Sequence, residues 1–389
     1  MRINVLDLGF QPIANNFITE NENEFFYRCN VSFDTESYHF GLTKPVKSDM
    51  LFNSNYVYHT SNSKPMVQYF KNLSKEIENI LEPRSVLEIG SNDGCFIKNW
   101  PTDSSLCVEP SSNLSKITNE LGYETYNDFF TEKLSHKITK NHGKFDLIYS
   151  ANCICHIPDL DDVFKGIKNL LSDNGIFIFE DPSLLKMIEN NSYDQIYDEH
   201  PHIFSIIFLE KLVDKHELKI VKVENLESHG GSNRVWVTHK NHIYEDDSVE
   251  RELFKEIDAG LNKLETYIDF GVRVGESKRK LINILLNLKS EGKRVLSYGA
   301  TSKSTTIFNY CGITDQLIDC ISDTSKTKIG KLSPGVNLKV VDRNNINLDD
   351  YDYIFLGAWN FKDFIVEKEN EWIKNGGKII THVPNVEIL

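Results

Sequence analysis

Short apolar runs alternate with longer segments in which apolar residues recur every three or four positions, beginning near residue 86. Runs of the first kind predict buried strands, and segments of the second kind predict amphipathic helices. The predicted strands cover residues 86–89, 106–108, 145–150 and 176–180, and the predicted helices lie near 92–100, 113–121 and 160–171. Alternation of this kind requires right-handed crossovers, so we expect an α/β fold with a doubly wound parallel sheet.

The rest of the chain divides into further parts. Residues 1–75 are rich in Asn, Phe and Tyr with little helical periodicity, which predicts a small irregular module. Apolar residues at helical spacing predict a helix over 66–81 and one or two long helices over 246–290. Apolar runs near 295, 320, 355 and 380 predict a second, Rossmann-like α/β unit. We place domains at 1–75, 76–245 and 291–389, with a helical linker at 246–290.

The composition is typical of a packed globular protein, because 40% of the 389 residues are apolar and 26% are charged. A net charge of −14 and a pI near 5.4 argue against non-specific binding to nucleic acid or to an anionic membrane. The sequence has no apolar run of secretory or membrane-spanning length, so we expect no membrane association and a cytoplasmic location. The seven cysteines form no Cys-x-x-Cys pair, which favours reduced, buried thiols.

A glycine turn follows the first strand of the central unit, where Glu88 precedes Gly90, Asn92 and Gly94. Glycine lets a ligand approach the main chain closely at the carboxyl end of a strand. Glu109 ends the next strand, near the spacing of roughly 20 residues at which an acid accepts hydrogen bonds from ribose hydroxyls. We interpret turn and acid as a site for an adenosine-type cofactor. The alternative is a tight turn with a solvated acid.

A second cluster brings together a phenol, a carboxylate and an imidazole at Tyr197, Glu199 and His200. Histidine, with an ordinary pKa of about 6.5, accepts a proton at neutral pH, a carboxylate can orient it, and a phenol can donate to a developing oxyanion. His156 follows the strand at 145–150 and is a second candidate acid or substrate contact. The alternatives are a polar helix start for the cluster and a helix-capping or packing role for His156.

Two more glycine-containing segments lie further along the chain. The turn at 298–304 places amides, hydroxyls and Lys303 at a helix N-terminus, which suits a phosphate or pyrophosphate. Asp323 lies at a spacing after Gly299 that also permits an NAD-binding fold, and a plain scaffold is the third alternative. At 229–234, two glycines permit close backbone approach and Arg234 can meet an anion, although a hairpin or bulge explains the glycines equally well.

Taken together, these segments resemble the cofactor-dependent C-methyltransferases that act on nucleotide-linked 4-keto-6-deoxy sugars. The resemblance covers nearly the whole chain and rests on the order and spacing of motifs that are individually weak. The motifs are residues 5–9 with 11–15, 88–94, 108–110, 152–159, 197–200, 229–232, and 298–300 with Lys303.

This resemblance implies three parts: a zinc-binding N-terminal module, a central class I methyltransferase domain for S-adenosylmethionine, and a C-terminal α/β domain that helps to hold the nucleotide sugar. The family's N-terminal module normally carries two Cys-x-x-Cys pairs, whereas this sequence has only Cys29 in that region. A structural zinc site needs about four nitrogen or sulfur ligands. We therefore expect a degenerate module without zinc.

The same resemblance implies methylation of a ring carbon, C3 beside a 4-keto group, through an enolate. It casts His200 as the general base, Glu199 as the group that orients it, and Tyr197 and His156 as donors to the enolate oxygen. The residues expected at the cofactor are Glu88, Gly90, Asn92, Gly94, Glu109, Asp128, Phe129 and Asn152. The residues expected at the substrate are Tyr56, Tyr58, His229, Gly230, Tyr298, Ala300, Thr301, Ser302 and Lys303.

The expected partner is a dTDP- or GDP-linked keto-deoxysugar, bound by a monomer. Three other functions stay open: methylation of a sugar oxygen or nitrogen, a nicotinamide-dependent oxidoreductase built on the C-terminal fold, and a non-catalytic nucleotide-sugar-binding protein. The intact Tyr197, Glu199 and His200 argue against the last of these.

Overall fold

The N-terminal module is an antiparallel sheet, which differs from the irregular chain predicted above. In the computed structural model, which describes residues 1–19, 22–242 and 246–389, its elements are β1 (Arg2–Pro12), β2 (Phe26–Asp34), β3 (Phe40–Leu42) and the short helix α1 (Ser48–Leu51). The first three strands pair in sequence, and a strand from the middle of the chain, His202–Ile203, completes the sheet beside β3. The module therefore depends on residues far along the chain.

The central unit begins with α2 (Lys64–Leu81), whose N-terminus is capped by the Ser63 side chain. Its other elements are β4 (Val86–Ile89), β5 (Ser105–Val108), α3 (Ser112–Glu120), β6 (Glu124–Tyr126), α4 (Glu132–His142), β7 (Phe145–Ala151), α5 (Leu160–Leu170), β8 (Leu171–Pro182), α6 (Leu184–Glu189), β9 (His202–Ile203), α7 (Ile206–Lys215), β10 (Leu218–Leu226) and β11 (Ser232–His239). Seven of these strands form one sheet in the order β6-β5-β4-β7-β8-β11-β10.

The strand directions in this sheet confirm the predicted parallel α/β arrangement. From β6 to β8 every neighbouring pair is parallel, and β11 is antiparallel to both β8 and β10. All four residues of β4 and all four of β5 are buried, as expected for strands covered by helices on both faces.

One helix predicted in this unit is wrong. Between 92 and 100 the chain turns through Asn92 and Gly94, whose φ angles are 50° and 79°, and only Ile97–Asn99 form a short 3₁₀ helix. Left-handed residues interrupt a right-handed helix. The carboxylate of Glu88 accepts a hydrogen bond from the amide of Ile97 at 3.0 Å, which holds the segment as a turn.

The chain continues through α8 (Ser248–Asp258) and α9 (Leu264–Ser290) into the C-terminal domain. The elements of that domain are β12 (Val295–Tyr298), α10 (Ser302–Cys311), β13 (Ile321–Asp323), β14 (Val340–Asp342), β15 (Tyr353–Leu356), α11 (Lys362–Lys368), α12 (Asn370–Lys374), β16 (Lys378–Thr381) and β17 (Glu387–Ile388). Its six strands lie in the order β14-β13-β12-β15-β16-β17, and β17 pairs antiparallel while the other pairs are parallel.

Helix α9 joins the N-terminal and C-terminal parts through a shared apolar core. The ring of Tyr267 on α9 stacks on Phe33 of β2 with ring centroids 4.0 Å apart. The same core extends to Phe308 and Phe355 of the C-terminal domain, and separate cores cover the two faces of the central sheet. Within the described part of the chain, no helix combines the length and apolarity needed to cross a membrane.

Candidate active site

A cavity of about 490 Å³ lies where the carboxyl ends of the central strands meet the other two modules. This end of a doubly wound sheet is the usual place for a ligand, and the volume lies within the range of about 300–1,000 Å³ typical of small-molecule sites. All three modules supply parts of its wall, among them Asn15 and Tyr56, then Gly90, Glu109 and Asn152, then Lys303 and Lys328.

The glycine turn after β4 forms one side of the cavity. Gly90 has a φ of 72°, and a Cβ added to it would lie 2.5 Å from Sγ of Cys153. Glu109 follows β5, and its two carboxylate oxygens accept hydrogen bonds from the amides of Asn92 and Ser111, each at 2.8 Å. Burial raises the pKa of Glu109, and these amides oppose the rise.

The composition of this side fits an adenosine-type cofactor. Each carboxylate oxygen of Glu109 retains an acceptor lone pair that a ribose hydroxyl can use. Pro110, Phe129 and Phe130 line the cavity beside it and offer an apolar surface to a base. Asn152, with a φ of 47°, lines the cavity at the end of β7. The predicted residues Gly90, Asn92, Glu109, Phe129 and Asn152 are thus brought together.

A segment of the N-terminal module, residues 56–61, crosses this turn, and we call it the strap. Asn92 holds it through three bonds. Its Oδ1 accepts from the amide of Thr60 at 3.0 Å and from the Thr60 hydroxyl at 3.2 Å, and its Nδ2 donates to the carbonyl of Tyr58 at 3.1 Å. Asp93 accepts from the amide of Ser61 at 3.0 Å. The strap brings Tyr56 and Tyr58, both predicted at the substrate, to the cavity wall.

Three other residues predicted at the cofactor make contacts within the protein that explain their presence without a cofactor. Glu88 lines the cavity, but its carboxylate bonds the amide of Ile97, and burial raises its pKa well above the usual range. Gly94 does not line the cavity, and a Cβ there would meet Leu121 and Thr118. Asp128 also does not line it; the side chain is exposed and bonds the amide of Phe129.

The hydrogen bonds of His200 indicate its tautomer in the neutral ring. Its Nδ1 lies 2.7 Å from the carbonyl oxygen of Gln195, which can only accept, so Nδ1 carries a proton and donates. In the neutral ring Nε2 is then the basic nitrogen, and it accepts from the hydroxyl of Tyr197 at 3.0 Å. The carbonyl of Gln195 occupies the position at Nδ1 that we expected for the carboxylate of Glu199. His200 lines the cavity, and Nε2 is the nitrogen of its neutral ring that can accept a proton.

His156 lies beside His200 at the cavity wall. The two imidazole rings stack with centroids 5.1 Å apart and planes 19° from parallel. The other face of His156 stacks on Phe52 of the N-terminal module, with centroids 5.5 Å apart. The predicted pairing of these histidines at one site is therefore present in the structure.

Glu199 connects residues 193–200, which carry the candidate catalytic residues and which we call the catalytic segment, to the N-terminal module. Its Oε1 accepts from the side-chain amide of Asn15 at 2.7 Å, and its Oε2 accepts from the hydroxyl of Tyr56 at 3.2 Å. Burial raises the pKa of Glu199, while these two bonds and the charge of Lys328 oppose the rise. The carboxylate is thus held between a donor pair and a cation.

The C-terminal domain contributes two lysines to the cavity wall, Lys303 at the start of α10 and Lys328. The Nζ atom of Lys328 donates to the carbonyl of Ala300 at 2.8 Å. Burial lowers the pKa of both lysines, and this is opposed by Asp194 near Lys303 and by Asp323 and Glu199 near Lys328. Two amines at one end of a cavity favour an anionic ligand group.

Thr301 and Ser302 also line the cavity, as predicted. The hydroxyl of Thr301 caps α10 by accepting from the amide of Ser304 at 3.0 Å, and it donates to the carbonyl of Gly357 at 2.8 Å. Burial raises the pKa of Tyr197 well above its usual range, against a hydrogen bond with Ser302. The helix start therefore contacts the catalytic segment.

Some residues predicted at the substrate do not line the cavity. The hydroxyl of Tyr298 donates to Glu369 at 2.8 Å, and Ala300 is buried. Gly230 lies against the ring of Trp359, where a Cβ would clash. The side chain of His229 lies outside the described part of the structure.

The predicted anion contact of Arg234 is wrong, because the guanidinium forms a buried ion pair. Its Nε donates to Glu180 at 2.7 Å, and Tyr69 bonds both partners. The charge of Arg234 is thus neutralised within the central unit. Arg234 does not line the cavity, so its guanidinium is not a donor to a ligand there.

The cavity features that were not assigned from the sequence include Asn15, Phe52, the carbonyl of Gln195, and Lys328. Asn15 belongs to the motif at 11–15, which was noted without a role for this side chain. Lys328 lies in a polar loop with no periodic pattern, and a backbone carbonyl carries no signal in side-chain identity. Only Asn15 was therefore accessible to sequence reasoning.

The N-terminal residues do not fit a structural zinc site. Cys29 is fully buried in β2, and burial raises the pKa of its thiol to about 12. Elsewhere in the described residues, Cys155, His156 and His200 place one potential ligand atom each within 4.8 Å of one another. That set is smaller than the four ligands of structural zinc, and the nitrogens of His200 are already bonded.

The order of the central sheet, its antiparallel β11 and the cavity at the carboxyl ends of its strands define a class I methyltransferase fold. Residues 63–223 match the family described as "Methyltransferase domain", and residues 227–384 match "C-methyltransferase C-terminal domain". The two matches together cover the central unit, the linker and most of the C-terminal domain.

Two curated proteins are similar to this chain, one over its whole length and the other over a quarter of it. C-methyltransferase NovU of Streptomyces niveus is 28% identical over 396 residues, which span 100% of this chain and 94% of that protein. Sterol 4-C-methyltransferase strm-1 of Caenorhabditis elegans is 31% identical over 109 residues, which span 25% of this chain and 31% of that protein. The chain is thus similar to C-methyltransferases: NovU matches it along its whole length, and the C-methyltransferase C-terminal model matches residues 227–384.

Two solved structures align with a little under half of this chain. An S-adenosylmethionine-dependent methyltransferase from Clostridium acetobutylicum is 16% identical with a TM-score of 0.34, over 46% of this chain and 93% of that one. The magnesium protoporphyrin IX methyltransferase of Synechocystis is 10% identical with a TM-score of 0.33, over 44% of this chain and 79% of that one.

Proposed function

We propose that this protein is an S-adenosylmethionine-dependent methyltransferase that methylates a ring carbon, C3, beside the ketone of a nucleotide-linked 4-keto-6-deoxy sugar. One observation carries the proposal. A single cavity is lined by the acid of the cofactor turn, Glu109, by the base His200 and by the amines of the C-terminal domain. A cofactor, an ionisable carbon acid and an anionic nucleotide could be bound there together.

His200 performs the first chemical task, which is removal of the proton from the carbon next to the ketone. The C–H bond breaks, the proton goes to Nε2 of His200, and the electron pair moves into the enolate. Because Nδ1–H is fixed on the carbonyl of Gln195 at 2.7 Å, Nε2 is presented as the base in the neutral ring. The ring carries the positive charge until the proton is released.

Tyr197 and His156 stabilise the enolate oxygen in this scheme. In the free site the hydroxyl of Tyr197 donates to Nε2 of His200 at 3.0 Å. When the sugar binds, this hydroxyl turns to the ketone oxygen, which frees the lone pair of Nε2 for the α-proton. Burial raises the pKa of Tyr197, which keeps the phenol protonated and able to donate. One positioned donor to an oxyanion contributes about 3–4 kcal/mol in known enzymes.

Glu199 has a positioning task in this scheme. It holds Asn15 at 2.7 Å and Tyr56 at 3.2 Å, and so keeps the N-terminal module closed against the catalytic segment. Lys303 and Lys328 bind the diphosphate of the nucleotide sugar, since amines are strong partners for phosphate oxygens.

The cofactor turn holds the nucleoside part of the methyl donor. Glu109 accepts from its ribose hydroxyls, and Phe129 contacts its base. When bound, S-adenosylmethionine supplies an electrophilic methyl group. The closed strap excludes water from the enolate, because residues 56–61 cover the turn.

The test uses purified protein with S-adenosylmethionine and either dTDP- or GDP-4-keto-6-deoxyhexose in deuterated buffer, followed by mass spectrometry and proton NMR. We expect a new methyl group on a ring carbon, deuterium at the α-carbon of unreacted sugar, and loss of both in His200→Ala. A methyl group on oxygen or nitrogen without α-exchange would overturn the enolate mechanism. Tight sugar binding without transfer would overturn the assignment as an enzyme.

A further inference from the structure

Asp194 is a carboxylate buried at the junction between the catalytic segment and the C-terminal domain, with no solvent-exposed surface. Its Oδ2 accepts from the indole nitrogen of Trp359 at 2.6 Å and from Nε2 of His382 at 3.0 Å. Both donors belong to the C-terminal domain: Trp359 follows β15 and His382 follows β16.

The residue after Asp194 makes the bond that orients the base. Tyr193–Gln195 form one short 3₁₀ helix, and the carbonyl of Gln195 accepts from Nδ1 of His200. Tyr193, at the start of the same helix, bonds the hydroxyl of Ser277 on α9 at 3.2 Å. The 3₁₀ helix is thus fixed at one side by α9 and at the other by Trp359 and His382.

Burial of a carboxylate is unfavourable unless its partners compensate, and well-packed apolar residues often give equal or greater stability. A stability role therefore gives little reason to place Asp194 here. Its negative charge also acts on Lys303 in the cavity wall, where it opposes the lowering of the lysine pKa by burial. Asp194 therefore acts on two parts of one site. It holds the 3₁₀ helix whose carbonyl orients His200, and its charge acts on Lys303.

We infer that Asp194 is a positioning residue through which the C-terminal domain sets the tautomer and orientation of His200. The carboxylate holds the 3₁₀ helix, the helix holds the carbonyl of Gln195, and the carbonyl holds Nδ1–H. This inference rests on the proposed function only in taking His200 as the base; the structural chain of bonds is independent of the substrate.

The experiment compares Asp194→Asn, which keeps the size of the side chain, with the unchanged protein. In protein labelled with ¹⁵N-histidine, the His200 signal is assigned from its absence in His200→Gln. We expect the free unchanged protein to show the Nδ1–H tautomer and Asp194→Asn to lose that preference. With the nucleotide sugar we expect kcat to fall at least about tenfold, with the Kd of the cofactor unchanged.

Glu369→Gln is the matched control, because Glu369 is also a buried carboxylate, lies within the C-terminal domain and pairs with Arg343 at 2.6 Å. It should lower stability without changing the tautomer or kcat. Trp359→Phe keeps an aromatic ring, removes one donor to Asp194 and provides a second variant if Asp194→Asn does not fold.

An unchanged His200 tautomer in folded Asp194→Asn and Trp359→Phe would overturn the inference, even if both variants were less stable. A tautomer change in free protein that shows no methyl transfer would support the inference while the proposed function failed. The NMR and activity measurements therefore separate the two failures.

Discussion

Among single residues, Gly90 is one of several glycines at which a side chain is excluded both by backbone conformation and by space, and it is the one that lines the cavity at the end of β4. Its φ of 72° is in the left-handed region, and an added Cβ would lie 2.5 Å from Sγ of Cys153. The carboxyl end of β4 can therefore approach a cofactor only while this residue is glycine. The constraint is local and can be tested by adding one methyl group.

We expect Gly90→Ala to lower the free energy of unfolding by about 1–2 kcal/mol, the cost of a non-glycine residue in this conformation. It should also weaken binding of S-adenosylhomocysteine in a calorimetric titration. Gly275→Ala is the control, because no atom lies within 4 Å of its added Cβ, and alanine in helix α9 should stabilise by about 0.5–1 kcal/mol. Urea unfolding of Gly90→Ala at the unchanged midpoint would contradict the geometry.

Lys328 gives a second prediction at this scale. Lys328→Met should raise the KM for the nucleotide sugar at least about tenfold, because a charged hydrogen bond to phosphate contributes about 1.5–3 kcal/mol. The Kd of the cofactor should not change. Lys326→Met removes an exposed amine two positions away and should leave both constants unchanged. Steady-state kinetics with varied sugar measure the effect, and equal KM values for both variants would remove Lys328 from the substrate site.

Residue types at the site could be predicted from the sequence more readily than their partners. Tyr197, Glu199 and His200 were recognised because phenol, carboxylate and imidazole occur within four positions. The partner of His200 is a main-chain carbonyl, which every residue possesses. Lys328 reaches the cavity from a loop whose position depends on tertiary packing, and no local pattern reports such a position.

At the scale of elements, a directional chain of hydrogen bonds runs from β1 through the residue before β3 and through β9 to the segment after β7. The carbonyl of Ile157 can only accept, so His202 donates to it from Nε2 at 3.1 Å. Nδ1 of His202 then accepts from Nε2 of His39 at 2.7 Å, and Nδ1 of His39 accepts from Arg2 at 3.3 Å. Both histidines must be neutral for this chain to exist.

This chain predicts a pH dependence of stability. Burial, with the neighbouring His202 and Arg2, lowers the pKa of His39 to about 3, and burial lowers that of His202 to about 4. The unfolded state, with pKa values of about 6.5, binds more protons than the folded state below that pH. Stability from these groups is therefore present above pH 6.5 and is lost as the pH falls toward 4.

Urea unfolding at pH 7.5 and pH 5 measures the effect. Each histidine should account for a loss of up to about 2 kcal/mol across this interval. The double variant His39→Gln, His202→Gln should show a smaller loss, and the difference between the two proteins isolates these groups from the buried carboxylates, which act in the opposite direction. Equal pH slopes for the two proteins would contradict the neutral chain.

Elements with a clear period were predicted correctly, as α3, α5 and the parallel strands show. The helix expected at 92–100 failed because Asn92 and Gly94 adopt positive φ, which apolar spacing does not report. The N-terminal strands were not predicted from the sequence, for another reason. Tyr27, Cys29 and Val31 alternate with less buried residues along the first part of β2, and a search for helical periodicity does not detect a period of two.

At the scale of the whole molecule, the N-terminal sheet and the C-terminal domain share one core on α9, whereas the central sheet has its own. Tyr267→Ala should therefore weaken the two outer parts together, by about 3–5 kcal/mol for loss of a large buried ring. Hydrogen exchange should increase in both β2 and β12 and stay unchanged in β5. Phe164→Ala, in the core of the central unit, should affect β7 and β8 first. Increased exchange in β2 alone after Tyr267→Ala would contradict a shared core.

The pairing of β3 with β9 has a consequence for the protein during its synthesis. The strand that completes the N-terminal sheet, His202–Ile203, is translated about 160 residues after β3. At about 5–20 residues per second, the open edge of β3 waits on the order of ten to thirty seconds for its partner. An unpaired strand edge is a template for other chains, so the nascent N-terminus is open to pairing with other chains until the segment that carries His200 and His202 emerges.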